Sequence, residues 1–140
     1  MATRSMISMV RSDGTVRAVY CHWDGYPAWV GAVLHRHYNT LELLNALLAK
    51  GDLSSLDKTL EESKFTDTYK YLNEDGSEDL LDAPAMDFFN DIEAVDYYES
   101  MWCEWFYKFE DGIWWACQRD RQWRSLAGVL EDVREESNES

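Results

Sequence analysis

The sequence predicts an α+β domain in which an antiparallel sheet, built from an N-terminal and a C-terminal β-hairpin, packs against three to four helices. Two Asp-Gly dipeptides, at residues 13–14 and 111–112, each separate two runs that are rich in β-branched and aromatic side chains. Asp-Gly between two such runs is the strongest short-range signal of a hairpin. Apolar residues recur at helical spacing between the hairpins and after the second one, which differs from the strand-helix alternation of a parallel sheet.

The first hairpin is predicted over residues 6–11 and 16–23. With Asp13 and Gly14 at the centre of the turn, one face of the hairpin is the more apolar and is expected to face the core. That face carries Ile7, Met9, Val16, Ala18 and Tyr20.

Two helices are predicted after the first hairpin. Pro27 suits the first turn of a helix, because its fixed φ matches the helix and its missing N–H is not needed there. Asn39 is expected to cap the second helix with Glu42 as its reciprocal partner, and Gly51 to end it. The buried stripe of this second helix is predicted to be Leu41, Leu44, Leu47 and Leu48. Residues 53–56 are interpreted as a turn and residues 68–72 as a short strand.

A third helix is predicted from Asn90, which has Glu93 at the capping spacing, to about Met101, with Ile92 on its apolar stripe. Ser125 is expected to cap a last helix. Acidic residues lie at the negative end of the dipole of that helix, so we expect a frayed acidic tail at about residues 135–140. The length of 140 residues fits one domain over residues 1–140.

The second hairpin is predicted from residues 102–110 and 113–119, which flank the second Asp-Gly turn. Its core face is predicted to carry Cys103, Trp105, Tyr107, Phe109, Trp114 and Ala116. The opposite face combines charged side chains, Lys108 and Glu110 among them, with Phe106, Ile113 and Trp115, so it is expected either to be covered or to bind a partner. The same alternation puts Cys103 and Cys117 on opposite faces, which excludes a disulfide between them unless the register changes.

Charge is the most informative bulk property. The chain has 13 Lys and Arg against 27 Asp and Glu, a net charge of −14, and residues 51–100 alone hold 3 basic and 15 acidic side chains, a net charge of −12. This charge disfavours direct binding to nucleic acid and favours a basic partner. No apolar run approaches the roughly 20 residues that span a bilayer, and residues 1–10 lack the features of a secretory signal, so we expect a cytosolic protein without a membrane partner.

The segment at residues 20–27, Tyr-Cys-His-Trp-Asp-Gly-Tyr-Pro, joins the first hairpin to the first helix and is a candidate pocket. In a functional interpretation, His22 acts as a base or donor, Asp24 orients it, and Trp23, Tyr26 and Trp29 provide stacking surfaces. In the structural alternative, which we favour, the aspartate and glycine form a turn, the proline starts the helix and the aromatic rings close the core.

Other site chemistry is disfavoured by the sequence. Cys21, His22, His35 and His37 are zinc-compatible donors, but His35 and His37 are two residues apart on a helix and point to different sides. Phosphate-binding glycine loops are absent from the sequence. We therefore expect no metal site, no cofactor and no enzymatic activity.

The acidic middle of the chain is a candidate partner-binding surface, which would steer and hold a basic protein as a mimic of nucleic acid. The alternative is that it only keeps the protein soluble. The candidate residues are Glu61, Glu62, Asp67, Glu74, Asp75, Glu78, Asp79, Asp82 and Asp87, with Phe106 and Trp115 as aromatic anchors.

The segment at residues 20–27 also carries a resemblance, together with Val30-Gly31, His37-Tyr38-Asn39-Thr40 and residues 47–56. These motifs resemble a family of small acidic proteins encoded by bacteriophages and prophages. The resemblance implies an accessory protein that acts in the cytoplasm of the host bacterium, as an anti-CRISPR or other anti-defence inhibitor does. The implied partner is a bacterial defence protein or complex with a basic surface. A small enzyme or nucleotide-signal-binding protein that uses His22, Asp24 and Tyr26 is the alternative, and the oligomeric state is left open, with a homodimer among the options.

Overall fold

A computed structural model describes residues 2–66, 68–72 and 74–139. Its strands are β1 Arg4–Val10, β2 Val16–Cys21, β3 Leu53–Ser55, β4 Lys64–Phe65, β5 Thr68–Leu72, β6 Glu78–Asp82, β7 Met86–Phe88, β8 Cys103–Glu110, β9 Ile113–Cys117 and β10 Arg124–Ser125. Its helices are α1 Ala32–His37, α2 Leu41–Leu48, α3 Asp91–Ser100 and α4 Leu126–Glu139, and a π-helical turn, Pro27–Gly31, leads directly into α1.

The predicted α+β class is confirmed, but the main sheet is mixed. Within the described ranges it runs in the order β10-β9-β8-β1-β2-β3-β4, with β7 also paired to β2, while β5 and β6 form a separate hairpin. The two predicted hairpins are antiparallel, yet they join through a parallel pair, β1 with β8. A parallel pair needs a long crossover connection, and the whole middle of the chain supplies it.

The predicted face of the first hairpin is wrong. Gly14, at φ 88°, completes a turn in which its N–H donates to the Arg11 carbonyl, and the Arg11 N–H donates to the Thr15 carbonyl. The loop therefore has three residues, a type I turn followed by a left-handed glycine, instead of two. This shift of one position pairs Val10 with Val16 and reverses the faces of β2 relative to β1. Ile7 and Met9 share a face with Val19 and Cys21, whereas Val16, Ala18 and Tyr20 share the other face with Met6.

The predicted register of the second hairpin is confirmed, with one exception. Glu110 pairs with Ile113 across a two-residue loop in which Asp111 and Gly112 both have positive φ, 55° and 78°. The exception is Cys103, because an irregularity between β1 and β8 opposite Arg4 and Ser5 puts it on the same face as Cys117. The prediction that the two cysteines lie on opposite faces is therefore wrong. Both thiols are nevertheless free.

Helices pack on both faces of the sheet. On one face, β1, β2, β8 and β9 pack with α1, α2 and α4 around Leu34, Leu47 and Tyr107. On the other face, α3 packs Ala94, Val95 and Tyr98 onto the sheet. The domain is thus three layers deep around the β1–β8 pair.

Several helix details differ from the sequence-based expectations. The cap of α2 is Thr40, whose hydroxyl accepts from the Leu43 N–H at 3.2 Å, and not Asn39. Leu41 and Ile92 are exposed, because each lies in the first turn of its helix on the solvent side. Residues 53–55, interpreted as part of a turn, form β3 and pair in parallel with β2.

Other helix details are confirmed. The side-chain oxygen of Asn90 accepts from the Glu93 N–H at 2.8 Å and caps α3. The Ser125 hydroxyl accepts from the Gly128 N–H at 3.2 Å at the start of α4. The helical backbone of α4 extends to Glu139, so fraying of the tail stays a prediction. Among the described helices, none is both long and apolar enough to cross a membrane.

Candidate protein-binding surface

Two neighbouring cavities that share Trp123 form an open groove, here called the Trp123 groove, on the α3 side of the sheet. The cavities measure about 480 and 310 Å³. They are lined by Asp91, Ile92, Val95, Lys108, Glu110, Asp111, Ile113, Trp115, Arg121 and Trp123. The lining combines two indole rings with three carboxylates and two basic side chains, and its indoles and carboxylates are groups that attract a basic side chain.

Lys108 is the cation that the protein itself holds in this groove. Its ammonium nitrogen lies 2.7 Å from Asp91 Oδ2, 3.3 Å from Glu110 Oε1 and 4.3 Å from the centroid of a Trp123 ring. The residue is only 9% exposed. Two carboxylates and an indole therefore compensate a nearly buried positive charge, and the same kinds of groups continue toward the solvent.

Arg121 fastens α3 beside the groove. Its Nη2 lies 2.7 Å from Asp96 Oδ1 and 2.6 Å from Glu99 Oε2. Its backbone is in the left-handed region, at φ 61°, which few non-glycine residues adopt. These contacts fix the position of α3, and with it the side of the groove that Ile92 and Val95 supply.

The solvent side of α3 is acidic and apolar together. The helix contains four acidic and no basic residues. Phe89, immediately before the helix, is 82% exposed, Ile92 is 65% exposed, and Tyr97 is also exposed. Large apolar side chains surrounded by carboxylates are typical of a protein-binding surface and are not needed for solubility.

The two aromatic anchors predicted from the second hairpin have different positions. Phe106 is fully buried beneath α3 with Val95 and Tyr98, so the prediction that it contacts a partner is wrong, and at this point the face is covered. Trp115 is half-buried and lines the Trp123 groove. The face of the second hairpin that carries both residues is thus covered by α3 at Phe106 and open at Trp115.

The predicted acidic residues are not all in the described part of the molecule. Glu61 and Glu62 are exposed before β4, and Glu74 and Asp75 are exposed in the β5–β6 turn. Asp75 Oδ1 accepts from the N–H and hydroxyl of Ser77, and these hydrogen bonds lower the pKa of its carboxyl. Asp87 is also exposed, but it lies 2.8 Å from Arg11 Nη2 in an ion pair. Asp67 and the side chains of Glu78, Asp79 and Asp82 lie outside the described residues.

The five residues of the candidate pocket do not form a catalytic pair. Asp24 Oδ1 accepts from the Tyr26 hydroxyl at 3.1 Å, and His22 Nδ1 lies 2.8 Å from the Tyr20 hydroxyl. Among the described residues, His22 and Asp24 thus have separate hydrogen-bond partners. Burial, and then the nearby positive charge of Arg4, lower the pKa of His22.

The aromatic side chains of this segment follow the structural alternative in part. Trp29 Nε1 donates to the Leu56 carbonyl at 2.9 Å, and the Trp23 ring packs edge-on against His22 with centroids 4.7 Å apart. Trp23, Tyr26 and Trp29 all remain exposed, so they do not close the core.

The glycine of this segment does not supply the left-handed backbone for which turns commonly use glycine. The left-handed residue is Asp24, at φ 57°, whereas Gly25 is needed because a Cβ there would lie 2.7 Å from Ser5 Cβ and from the Thr3 carbonyl oxygen. Tyr107 also donates to the Gly25 carbonyl at 2.7 Å, which holds the loop close to β8.

Within the described residues, no group of three or more His, Cys, Asp or Glu side chains is placed to hold a metal ion. His35 and His37 lie on α1, and His35 lines a cavity between α1 and α4.

Comparison with protein-family models, with curated proteins and with solved structures finds no match to this chain. The resemblance to phage-encoded proteins therefore stays a prediction, and the arguments for function rest on the surface itself.

Sequence analysis found only part of the Trp123 groove. The alternation of β8 and β9 placed Lys108, Glu110, Ile113 and Trp115 on one face, which the register confirms. Trp123 and the groove side of α3 were missed, because their positions depend on how separate elements pack. The spacing of the Asn90 cap located the helix, but it carried no signal about which sheet face the helix covers.

Proposed function

We propose that the protein is a non-catalytic inhibitor that binds a basic, nucleic-acid-handling protein through the Trp123 groove and the solvent side of α3. One observation carries this proposal: exposed Ile92 lines a groove that also contains carboxylates, and exposed Phe89 lies just before the same helix. Apolar anchors supply affinity, while carboxylates accelerate encounter with a positively charged surface.

The resemblance to phage and prophage accessory proteins directs the proposal toward bacterial defence. The partner would be a defence protein whose basic surface normally holds nucleic acid, in the cytoplasm of the host bacterium. An acidic protein seated there would occupy the place of the phosphate backbone. The acidic β5–β6 turn, with Glu74 and Asp75 exposed, would add to the attraction.

The alternative, a small enzyme or nucleotide-signal-binding protein that uses His22, Asp24 and Tyr26, has less support. His22 and Asp24 do not share a hydrogen bond among the described contacts. A base without an orienting partner and without an assigned nucleophile lacks the geometry of a catalytic site.

The experiment measures association with a partner isolated from phage-sensitive bacteria. A Phe89→Ala/Ile92→Ala variant should dissociate at least about tenfold faster, because each side chain removes an apolar anchor. A Glu93→Lys variant, which leaves the ion pairs of Arg121 intact, should associate more slowly at low salt and approach the wild-type rate at high salt. Rates are measured by biolayer interferometry across a salt series.

The matched control is Glu131→Lys, which makes the same change in net charge on an exposed residue of α4. It should leave the association rate close to the wild-type value. Equal slowing by both charge variants would show that only net charge matters, and would overturn the proposed surface. In bacteria whose defence system blocks a phage, expression of the wild-type protein should restore growth of that phage. Restoration by the wild-type protein, and not by the Phe89→Ala/Ile92→Ala variant, would support the anti-defence role.

A further inference from the structure

A separate cavity lies at the junction between α3 and β8. It measures about 410 Å³ and is lined by Ala2, Arg4, Trp102, Glu104 and Arg119. It shares no lining residue with the Trp123 groove and none with the candidate pocket at residues 22–29. Its volume is within the range of small-molecule sites, roughly 300–1,000 Å³.

Trp102 presents its ring to solvent at this junction. The residue is 68% exposed and its backbone is left-handed, at φ 71°. For a bulky L-residue this conformation is unfavourable. Neither the hydrophobic core nor the local backbone explains a tryptophan here, whereas an exposed indole is a ready stacking surface for a planar ligand.

Two arginines bracket Trp102. Arg4 Nη1 donates to the carbonyl of Met101, and Arg119 Nε donates to the carbonyl of Cys103, both at 3.5 Å. Within the described residues neither arginine forms an ion pair, although acidic side chains outnumber basic ones two to one in this chain. Each guanidinium has five N–H donors, so both keep donors for an anion.

The remaining charged residue of the lining is Glu104, which is exposed. It lies more than 4.0 Å from either guanidinium, since it forms no ion pair with them. A carboxylate in such a position can accept hydrogen bonds from a pair of sugar hydroxyls, as acidic residues do in dinucleotide-binding sites.

We propose that this cavity binds a nucleotide. The base stacks on Trp102, the phosphate receives hydrogen bonds from Arg4 and Arg119, and Glu104 accepts from the ribose hydroxyls. A nucleotide combines a planar base, a doubly charged phosphate and sugar hydroxyls. Arginine is suited to the phosphate because its N–H donors form a planar fork. The net charge of −14 opposes a long polyanion, so a free nucleotide fits better than a strand.

The test is isothermal titration calorimetry of the full chain with adenosine monophosphate, and in a second arm with a single-stranded oligonucleotide. We expect saturable binding of the mononucleotide. Trp102→Ala should weaken it by about tenfold or more, in keeping with the contribution of one stacked base. Arg119→Ala should weaken it by about tenfold, because a charge-assisted hydrogen bond to the phosphate is lost. Trp102→Phe, which keeps an aromatic ring, should retain most of the affinity.

The matched controls are Trp23→Ala and Arg36→Ala, which remove an exposed tryptophan and an exposed arginine elsewhere and should leave binding unchanged. Thermal unfolding of each variant checks that it is folded. Tighter binding of the oligonucleotide than of the mononucleotide would contradict a free nucleotide as the ligand, because the net charge of −14 should weaken the binding of a strand. Absence of binding at millimolar mononucleotide, or binding that Trp102→Ala and Arg119→Ala do not weaken, would overturn the proposal. Neither result bears on the partner-binding proposal, which uses other residues.

Discussion

Burial determines what the three cysteines can do. Cys21, Cys103 and Cys117 are buried and free. Desolvation by burial is the main cause that raises the pKa of each thiol to about 12. Because the thiolate is the reactive form, these residues behave as small apolar side chains and not as nucleophiles.

We therefore predict that the native protein is inert to a thiol reagent such as Ellman's reagent at pH 8, and that all three thiols react after unfolding in guanidinium. The pH dependence has a definite sign. The folded-state pKa values lie above the ordinary value of 9.0, so the stability that the neutral thiols contribute is complete below pH 9 and is lost as the pH rises toward 12. The unfolding midpoint in urea should fall over that interval. Rapid reaction of even one native thiol would contradict the burial of that residue.

At the scale of elements, local hydrogen bonds decide where helices begin. Thr40 and Asn39 are adjacent, and both are residue types that cap helices. Only the Thr40 hydroxyl accepts from a backbone N–H of α2, that of Leu43. Thr40 has an extended backbone, at φ −131° and ψ 155°, which directs its side chain back over the first turn.

We predict that Thr40→Ala lowers the free energy of unfolding by about 1 kcal/mol, the usual contribution of a capping side chain. Asn39→Ala is the control and should change it by less than about 0.5 kcal/mol, because Asn39 is an exposed residue before the cap. Both values come from urea denaturation followed by circular dichroism. A larger loss for Asn39→Ala would restore the cap that the spacing to Glu42 predicted.

The two hairpins show how far sequence can predict this fold. The same Asp-Gly dipeptide closes a two-residue loop in one hairpin and ends a three-residue loop in the other, so the dipeptide locates a hairpin without fixing its register. A shift of one residue then exchanges the two faces of a strand. The parallel pairing of β1 with β8 is beyond local reasoning, since the Ser8 hydroxyl donates to the carbonyl of Tyr107, 99 positions away.

The candidate sites also contain a part that local sequence predicts and a part that depends on packing between distant elements. Side chains within one hairpin, such as Lys108 and Trp115, could be assigned to one face from the sequence. The Trp123 groove also needs α3, and the cavity beside Trp102 needs Arg4 from β1 and Arg119 from beyond β9. Sites assembled from distant elements require tertiary packing, which alternation and capping patterns do not encode.

At the scale of the whole molecule, electrostatic repulsion opposes folding. The net charge is −14, and the folded chain brings these charges closer than the unfolded chain does. Among the described residues, ion pairs such as those of Arg11 and Arg124 are largely exposed. Exposed pairs contribute little, about 0–1 kcal/mol each. Repulsion should therefore outweigh attraction in the effect of salt.

We predict that the melting temperature rises when sodium chloride is increased from low concentration to about 0.5 M. At that concentration, repulsion between exposed charges extends over only a few ångströms. A stabilisation of about 1 kcal/mol corresponds to roughly 3–5 °C for a chain of this size. The Glu61→Gln/Glu62→Gln variant removes two exposed charges, so it should melt higher than wild type at low salt and gain less from added salt. Differential scanning calorimetry measures both. A melting temperature that falls with salt would mean that the ion pairs holding α3, those of Lys108 and Arg121, contribute more to stability than the repulsion removes.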